Sequence, residues 1–202
     1  MNDKKHWYDG IFYDKFIAPN QDKMFEQIKE IIHSESTVLD VGCGTGRLAF
    51  QLSNHCKKIV GIDLSSKNIS VANSNHNGNY KNVDFIHGNL ADIKEKFSEK
   101  FDLAILTYVI HEVPENERLE LISTIKNVSS KIIIGDYITP TPKTFWGKIN
   151  VVVEYLAGND HYNNFKNYVK NGGIDYLTKA ANLKKTREIK NQPMTSHIVV
   201  LE

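Results

Sequence analysis

Residues 38–46 read Val-Leu-Asp-Val-Gly-Cys-Gly-Thr-Gly, and the rest of the chain is read outward from them. A short apolar run of Val38, Leu39 and Val41 ends in glycines at alternate positions, Gly42, Gly44 and Gly46. An amphipathic segment follows from Arg47. That order predicts a buried strand, a tight loop and a helix. Glycine lets backbone approach a ligand closely and reaches torsions that other residues avoid. The helix start behind the loop offers unpaired N–H groups and a positive dipole end. Such a turn suits a polar, nucleoside-type ligand.

Spacing decides among such ligands. The dinucleotide fingerprint G-x-G-x-x-G, started at Gly42, would need its third glycine where Arg47 stands. The sequence has G-x-G-x-G instead, with Asp40 inside the preceding strand. A second apolar segment, Ile59-Val60-Gly61-Ile62, ends at Asp63. An acid at the end of a second strand is well placed to accept hydrogen bonds from ribose hydroxyls. The pair VLDVGCGTG and GIDLS resembles the first two motifs of the class I S-adenosylmethionine-dependent methyltransferases. The resemblance implies that Gly42, Cys43, Gly44 and Gly46 form the loop under the methionine part of that cofactor. It gives Asp63 both ribose hydroxyls and sets Leu64 against the adenine. Asp40 orders the loop and reaches the cofactor amine through water, or else only anchors the loop. Cys43 fills space there as a small residue rather than acting as a nucleophile.

Further along, Ser65 to Asn75 reads as a polar helix broken by Asn77-Gly78-Asn79. Val83 to Ile86 reads as a third strand and Asp92 to Lys100 as a short helix or loop. Phe101 to Leu106 is a fourth strand, apolar enough to be buried on both faces. A helix starts at Pro114, and Lys131 to Asp136 is a fifth strand. Strands alternating with helices imply right-handed βαβ units and a parallel sheet. Thr139-Pro140-Thr141-Pro142 stops the alternation. Helices are then expected at Phe145 to Leu156, Phe165 to Lys170 and Ile174 to Ala181. Two strands, Lys184 to Ile189 and Ser196 to Leu201, close the chain as a hairpin.

The expected fold is therefore α/β: a Rossmann-like, seven-stranded, mostly parallel sheet with helices on both faces. By resemblance the strand order is 3-2-1-4-5-7-6, and the closing β-hairpin supplies the antiparallel last strand. One methyltransferase domain is expected over 1–202. Its parts are an N-terminal aromatic helical segment (1–35), a cofactor-binding core (36–137), a lid or substrate segment (139–170) and a closing helix and hairpin (171–202).

The remaining site residues follow from position. Family members usually end the third strand Gly-Asp, and that acid accepts from the adenine amine. Here the sequence reads Gly88-Asn89-Leu90, so Asn89 keeps an acceptor without the charge. The Leu90 N–H is expected to donate to the ring, and Asp92 is a substitute if the loop bends back. Thr107 and Tyr108 end the fourth strand, Thr107 facing the cofactor and Tyr108 the substrate. Neither the family's signature for methylating amino groups of nucleobases or glutamine nor that for cytosine-carbon methylation stands there, which argues against those branches. His111 follows as a pocket-lining residue or a base. Asp136 and Tyr137 end strand five, at the edge where open sheets bind ligands. His161 and Tyr162, in the expected lid, are candidates for proton removal and substrate contact, since histidine titrates in a suitable range. An aromatic cluster of Trp7, Tyr8, Phe12, Tyr13 and Phe16 precedes the core; the resemblance makes Tyr8 or Tyr13 a candidate to touch the cofactor, and a helix simply packing on the sheet is the alternative.

Composition sets the outer limits. The 202 residues carry a net charge of +1, with 41% hydrophobic and 24% charged side chains, as in an ordinary globular protein. No basic footprint of a nucleic-acid binder is seen, and no apolar run reaches membrane-spanning length. Cys43 and Cys56 lie in no ligand pattern, so no metal site is expected. No apolar run follows Met-Asn-Asp-Lys-Lys, so a cytoplasmic protein without a signal peptide is expected. Neither nucleic acid nor membrane is expected as a partner, and a homodimer is left open. The function expected is in-line methyl transfer from S-adenosylmethionine to a small molecule. A nicotinamide-dependent oxidoreductase and a non-catalytic cofactor-binding regulator are the alternatives.

Overall fold

The computed structural model describes residues 21–202. The aromatic segment with Trp7, Tyr8, Phe12, Tyr13 and Phe16 lies outside the described residues. The first half runs α1 (Asp22–Lys29), β1 (Thr37–Val41), α2 (Arg47–Leu52), β2 (Lys58–Asp63), α3 (Ser66–His76), β3 (Val83–His87), α4 (Leu90–Lys96) and β4 (Phe101–Thr107). It continues α5 (Glu115–Val128), β5 (Ser129–Tyr137), α6 (Phe145–Ala157), α7 (Asn159–Asn171), α8 (Gly173–Ala180), β6 (Lys185–Lys190) and β7 (Ser196–Leu201). The strands form a seven-stranded sheet in the order β3-β2-β1-β4-β5-β7-β6. That is the Rossmann-like order anticipated, with an antiparallel hairpin at its end.

The chain divides into two compact units. One takes the residues up to Ile105 with Asn127–Ser130, and the other takes Leu106–Lys126 with Lys131–Glu202. The division falls within β4.

In the first unit β1 is the organising strand. It pairs in parallel with β2, Leu39 opposite Val60 and Asp40 opposite Gly61, and with β4, Leu39 opposite Ala104. Val38, Leu39, Ile59, Val60, Ala104 and Ile105 are fully buried. Strands hidden on both faces must be apolar throughout. Asp102 fastens the start of β1, accepting from the Thr37 N–H at 2.7 Å and its hydroxyl at 2.8 Å. α3 begins where Ser65 accepts from the Asn68 N–H and ends at Asn77, in the left-handed region at φ 44°. An N-cap serine and an αL stop of this kind are the ordinary helix boundary devices.

In the second unit β5 pairs antiparallel with β7, Gly135 opposite Ile198 and Asp136 opposite His197, and β7 pairs with β6. β7 is buried along its length, whereas β6 is a solvated edge, which accounts for its run of charged residues. α6 starts at Thr144, whose hydroxyl accepts from the Gly147 N–H. It leaves Phe145, Trp146, Val152, Val153, Tyr155 and Leu156 exposed.

α7 departs from expectation. It spans thirteen residues and begins at Asn159, not Phe165. Gly158, at φ 128°, ends α6 and starts α7 with no intervening loop. His161, Phe165 and Tyr168 are buried at i, i+4 and i+7, one face of a helix. Asparagine-rich sequence of low helix propensity hid that stripe. His161 and Tyr162 accordingly stand on a helix.

Candidate cofactor loop and buried histidine–carboxylate cluster

The glycine loop is built by backbone geometry. Gly42, Gly44 and Gly46 adopt φ 73°, 54° and 82°, a region that L side chains enter only with strain. The loop is tied to β2, because the N–H groups of Gly42 and Cys43 donate to the Ile62 carbonyl at 2.8 and 3.1 Å. Asp63 completes the tie. Its Oδ2 accepts from the Gly44 N–H at 2.8 Å, and its Oδ1 accepts from the Ser65 N–H at 2.7 Å. A carboxylate oxygen can accept more than one hydrogen bond, so holding the loop does not by itself bar Asp63 from accepting from a diol. Leu64, next to it, is 37% exposed.

Asp40 is the anomaly of this unit. Its side chain is buried, yet neither Oδ1 nor Oδ2 has a hydrogen-bond partner. Buried polar atoms are almost always satisfied, so such an orphan needs an explanation. Burial, with the Asp63 charge adding to it, raises the Asp40 pKa to about 7. Cys43 is buried beside these acids. Burial and the charges of Asp40 and Asp63 hold its thiol well above the usual range, so it remains protonated. An orphaned acid, a loop of positive-φ glycines and an acid at the end of β2 fit a cationic amino-acid moiety joined to a ribose.

The residues after β3 are arranged differently. Asn89 caps α4, its Oδ1 accepting from the Ala91 and Asp92 N–H groups at 2.8 and 3.4 Å. Asp92 returns the bond from its Oδ2 to the Asn89 N–H at 2.7 Å, forming a capping box. The amide oxygen that the sequence offers to an adenine amine is therefore engaged by the helix. Asp92 is likewise engaged rather than swung back as a substitute.

The second unit gathers a separate set of groups. After β4 the chain turns at Tyr108, which takes φ 55°. A bulky residue in the left-handed region is strained, and such strain marks functional segments. The turn is held by the Tyr108 N–H donating to the Gly135 carbonyl at 2.8 Å and by its hydroxyl donating to Ser196 Oγ at 3.0 Å. Burial pushes the Tyr108 pKa to about 12.

His111 is 2% exposed, and its Nδ1 lies 2.7 Å from Asp136 Oδ1. A carboxylate only accepts, so Nδ1 carries the proton and Nε2 is directed the other way. There it meets Glu154 Oε2 at 3.5 Å. His161 Nε2 lies 3.2 Å from the same oxygen and 3.2 Å from Glu112 Oε1. The two imidazoles stack with centroids 5.6 Å apart. The Tyr137 hydroxyl donates to Glu154 Oε1 at 2.7 Å. Burial opposes charge on His111, but the Asp136 and Glu154 carboxylates outweigh it and hold its pKa well above the ordinary value. Burial likewise opposes charge on Glu154, and His111, Tyr137 and His161 overcome it and lower its pKa. Burial and then the Glu154 charge raise Tyr137 well above the phenol range.

Arg118 fixes the backbone around this cluster. Although 3% exposed, its guanidinium donates to the Val113 and Asn164 carbonyls at 2.8 and 2.7 Å and to Asn167 Oδ1 at 2.8 Å. Asn164 Nδ2 donates to the Glu112 carbonyl at 2.8 Å.

Of the residues singled out in the sequence, His111, Asp136, Tyr137 and His161 converge here, with Tyr108 beside Tyr137 at 5.3 Å between rings. Tyr162 does not join them through its ring. That ring packs on Tyr155 at 5.4 Å, and Lys166 lies over it at 4.5 Å. Thr107, the buried last residue of β4, precedes the Tyr108 turn. Glu154, Glu112 and Arg118 were missed. Only Glu154 left a signal, as a lone acid within the apolar run Val151 to Leu156.

Comparison with known proteins agrees with the geometry of the loop. A family model described as a methyltransferase domain matches residues 32–189. The chain belongs to that family, the class I S-adenosylmethionine-dependent methyltransferases. S-adenosylmethionine is the family's cofactor, and the nicotinamide alternative falls with that membership. A ubiquinone biosynthesis O-methyltransferase of Coxiella burnetii is 30% identical over 134 residues, 66% of this chain and 51% of that protein. An uncharacterized methyltransferase of Staphylococcus carnosus is 27% identical over 178 residues, 86% of this chain and 76% of that one. The chain thus spans only about half the length of the Coxiella relative. Among solved structures, magnesium protoporphyrin IX methyltransferase from Synechocystis PCC 6803 with bound S-adenosylhomocysteine superposes with a TM-score of 0.65. Identity is 19%, over 94% of this chain and 86% of that one. A protein of Pyrococcus horikoshii OT3 superposes with a TM-score of 0.69 at 17% identity, over 96% and 94%. These two likenesses speak for the fold.

Proposed function

We propose that this protein transfers the methyl group of S-adenosylmethionine to a small-molecule acceptor. The observation that carries the cofactor half is the unsatisfied, buried Asp40 carboxylate under a loop of positive-φ glycines whose Gly44 N–H is held by Asp63. In this reading Gly42, Cys43, Gly44 and Gly46 cradle the amino-acid end, and Asp40 faces its ammonium. Asp63 accepts from the ribose hydroxyls, Leu64 packs on the base, and the Leu90 N–H donates to it. The Asn89 oxygen is committed to its cap, so Asn89 shapes the loop rather than binding the base. Thr107 and Tyr108 shape the end of β4.

S-adenosylmethionine brings a methyl group already activated on a sulfonium, so the protein has mainly to align the acceptor and exclude water. His111, Asp136, Tyr137, Glu154 and His161 are the acceptor-handling residues in this reading. Asp136 orients His111, and Tyr137 orients Glu154. A small molecule suits the absence of any general basic character, at a net charge of +1. The name of the Coxiella relative points the same way. Two free, buried thiols suit a reducing, cytoplasmic setting. Among the described residues no helix is long and apolar enough to cross a membrane.

The test is calorimetric titration of the full chain with S-adenosylmethionine, S-adenosylhomocysteine and NAD, followed by an acceptor screen. Binding of the first two but not NAD, with turnover of a small acceptor, is expected. His161→Ala should then lose turnover and keep cofactor affinity. Cofactor binding without turnover across hydroxyl, amine and thiol acceptors would favour the non-catalytic regulator instead.

A further inference from the structure

We infer that His111, Glu154 and His161 form a binding site for one divalent first-row transition-metal ion, of the zinc class. Their donor atoms lie within 4.8 Å of one another, and all three residues are buried. Glu154 Oε2 stands 3.5 Å from His111 Nε2 and 3.2 Å from His161 Nε2. Ligands held at about 2.0–2.1 Å around a tetrahedral ion are separated by about 3.3–3.4 Å. The two measured separations bracket that edge. A charge-assisted N–H···O hydrogen bond would instead draw the atoms to about 2.7–2.9 Å. Glu154 Oε2 is buried and meets both imidazole nitrogens only at these longer distances, while its other oxygen is held by the Tyr137 hydroxyl at 2.7 Å.

The surrounding shell has the form that metal sites require. A ligating histidine nearly always donates its other N–H to a carboxylate, which fixes tautomer and ring orientation. His111 does so, Nδ1 to Asp136 Oδ1 at 2.7 Å. Asp136 is itself held by the Tyr137 N–H at 2.7 Å and the His111 N–H at 3.3 Å. The carboxylate ligand is hydrogen-bonded in turn by Tyr137. Two imidazoles and one carboxylate favour zinc, iron, cobalt or manganese over calcium and magnesium, which prefer all-oxygen sets. Glu112 Oε1 lies 3.2 Å from His161 Nε2 and is 31% exposed, but it stands outside the group of three mutually close donors. The site goes beyond methyl transfer and stands or falls independently of it.

The experiment uses the tag-free full chain, stripped with a chelator and titrated near neutral pH with Zn²⁺ against a chromophoric competitor. A parallel titration with Co²⁺ is followed by visible absorption. One equivalent should bind at micromolar affinity or tighter, and Co²⁺ should give the d–d bands of a four- or five-coordinate site. The pair Glu154→Gln with His161→Asn should weaken binding at least 100-fold, and Tyr137→Phe, acting on Glu154, roughly 10-fold. Asp63→Ala is the control, keeping the metal whatever happens to the cofactor. Each variant is accepted only if its circular dichroism and melting remain cooperative, and the single His161→Asn replaces the pair if the pair does not fold. No stoichiometric uptake by the wild-type chain would overturn the inference. So would uptake that the Glu154 and His161 substitutions leave unchanged, since the ion would then sit on other histidines.

Discussion

Replacing Asp40 by Asn isolates the charge that the glycine loop keeps without a hydrogen bond. The Asp40 pKa rises from 3.8 to about 7 through burial and the neighbouring Asp63 charge. At about 1.36 kcal/mol per unit, ionising this acid in the folded protein costs about 4 kcal/mol relative to the unfolded chain. The sign follows from proton counting. Between pH 3.8 and about 7 the folded state holds a proton here that the unfolded state has released. Stability therefore falls as pH rises through that window and levels off above it. Asp40→Asn has the same shape and no titration. Any fixed cost of its amide is independent of pH, so the difference between variant and wild type isolates the acid. In urea denaturation without cofactor, the variant should gain on the wild type by about 4 kcal/mol between pH 4 and pH 8. A constant difference across that range would refute the reasoning. A cationic ligand beside Asp40 should also expel its proton. Calorimetry of cofactor binding near pH 6 in buffers of different ionisation enthalpy should detect that release, and Asp40→Asn should abolish it.

In the proposed reading Asp63→Ala removes two ribose contacts to a charged acceptor, at about 1.5–3 kcal/mol each. Affinity for S-adenosylmethionine and S-adenosylhomocysteine should fall at least ~100-fold in calorimetry, and unchanged affinity would remove the basis of the ribose assignment. Gly46→Ala forces a side chain to φ 82° and into the Phe85 ring. It should cost about 1–3 kcal/mol and lower Tm by several degrees, whereas a Tm within one degree of wild type would argue that the loop relaxes freely. Arg118→Met strips donors from the Val113 and Asn164 carbonyls and Asn167 Oδ1. A loss of about 3–5 kcal/mol in urea denaturation is expected. A value under about 0.5 kcal/mol, as for an ordinary surface change, would show that Arg118 does not anchor this backbone.

The glycine loop and the acid that ends β2 were legible because they are local in sequence. Gly42 to Gly46 and Asp63 each follow directly from a strand whose apolar pattern is plain, so position along the strand fixes position in the site. Asn89 reads differently in the structure. A short polar residue before a helix satisfies N–H groups at the helix start, and the Ala91 and Asp92 N–H groups claimed its oxygen. The hairpin was equally readable, since β6 is a charged, exposed edge and β7 an apolar strand buried along its length.

The sequence alone determined the strand–loop–helix order, the strand order by resemblance, the glycine loop and the acid of β2. These rest on local periodicity, turn chemistry and spacing. Tertiary structure decided the rest. It extended α7 back to Asn159 and thereby set His161 on a buried helical face, where the i, i+4, i+7 stripe places it with Phe165 and Tyr168. It brought Glu154, 43 residues beyond His111 in the numbering, to 3.5 Å from that ring. It also drew Arg118 inward to close the surrounding carbonyls. Such meetings depend on how helices and strand ends pack, and no periodicity within one segment encodes the distance between side chains of different segments.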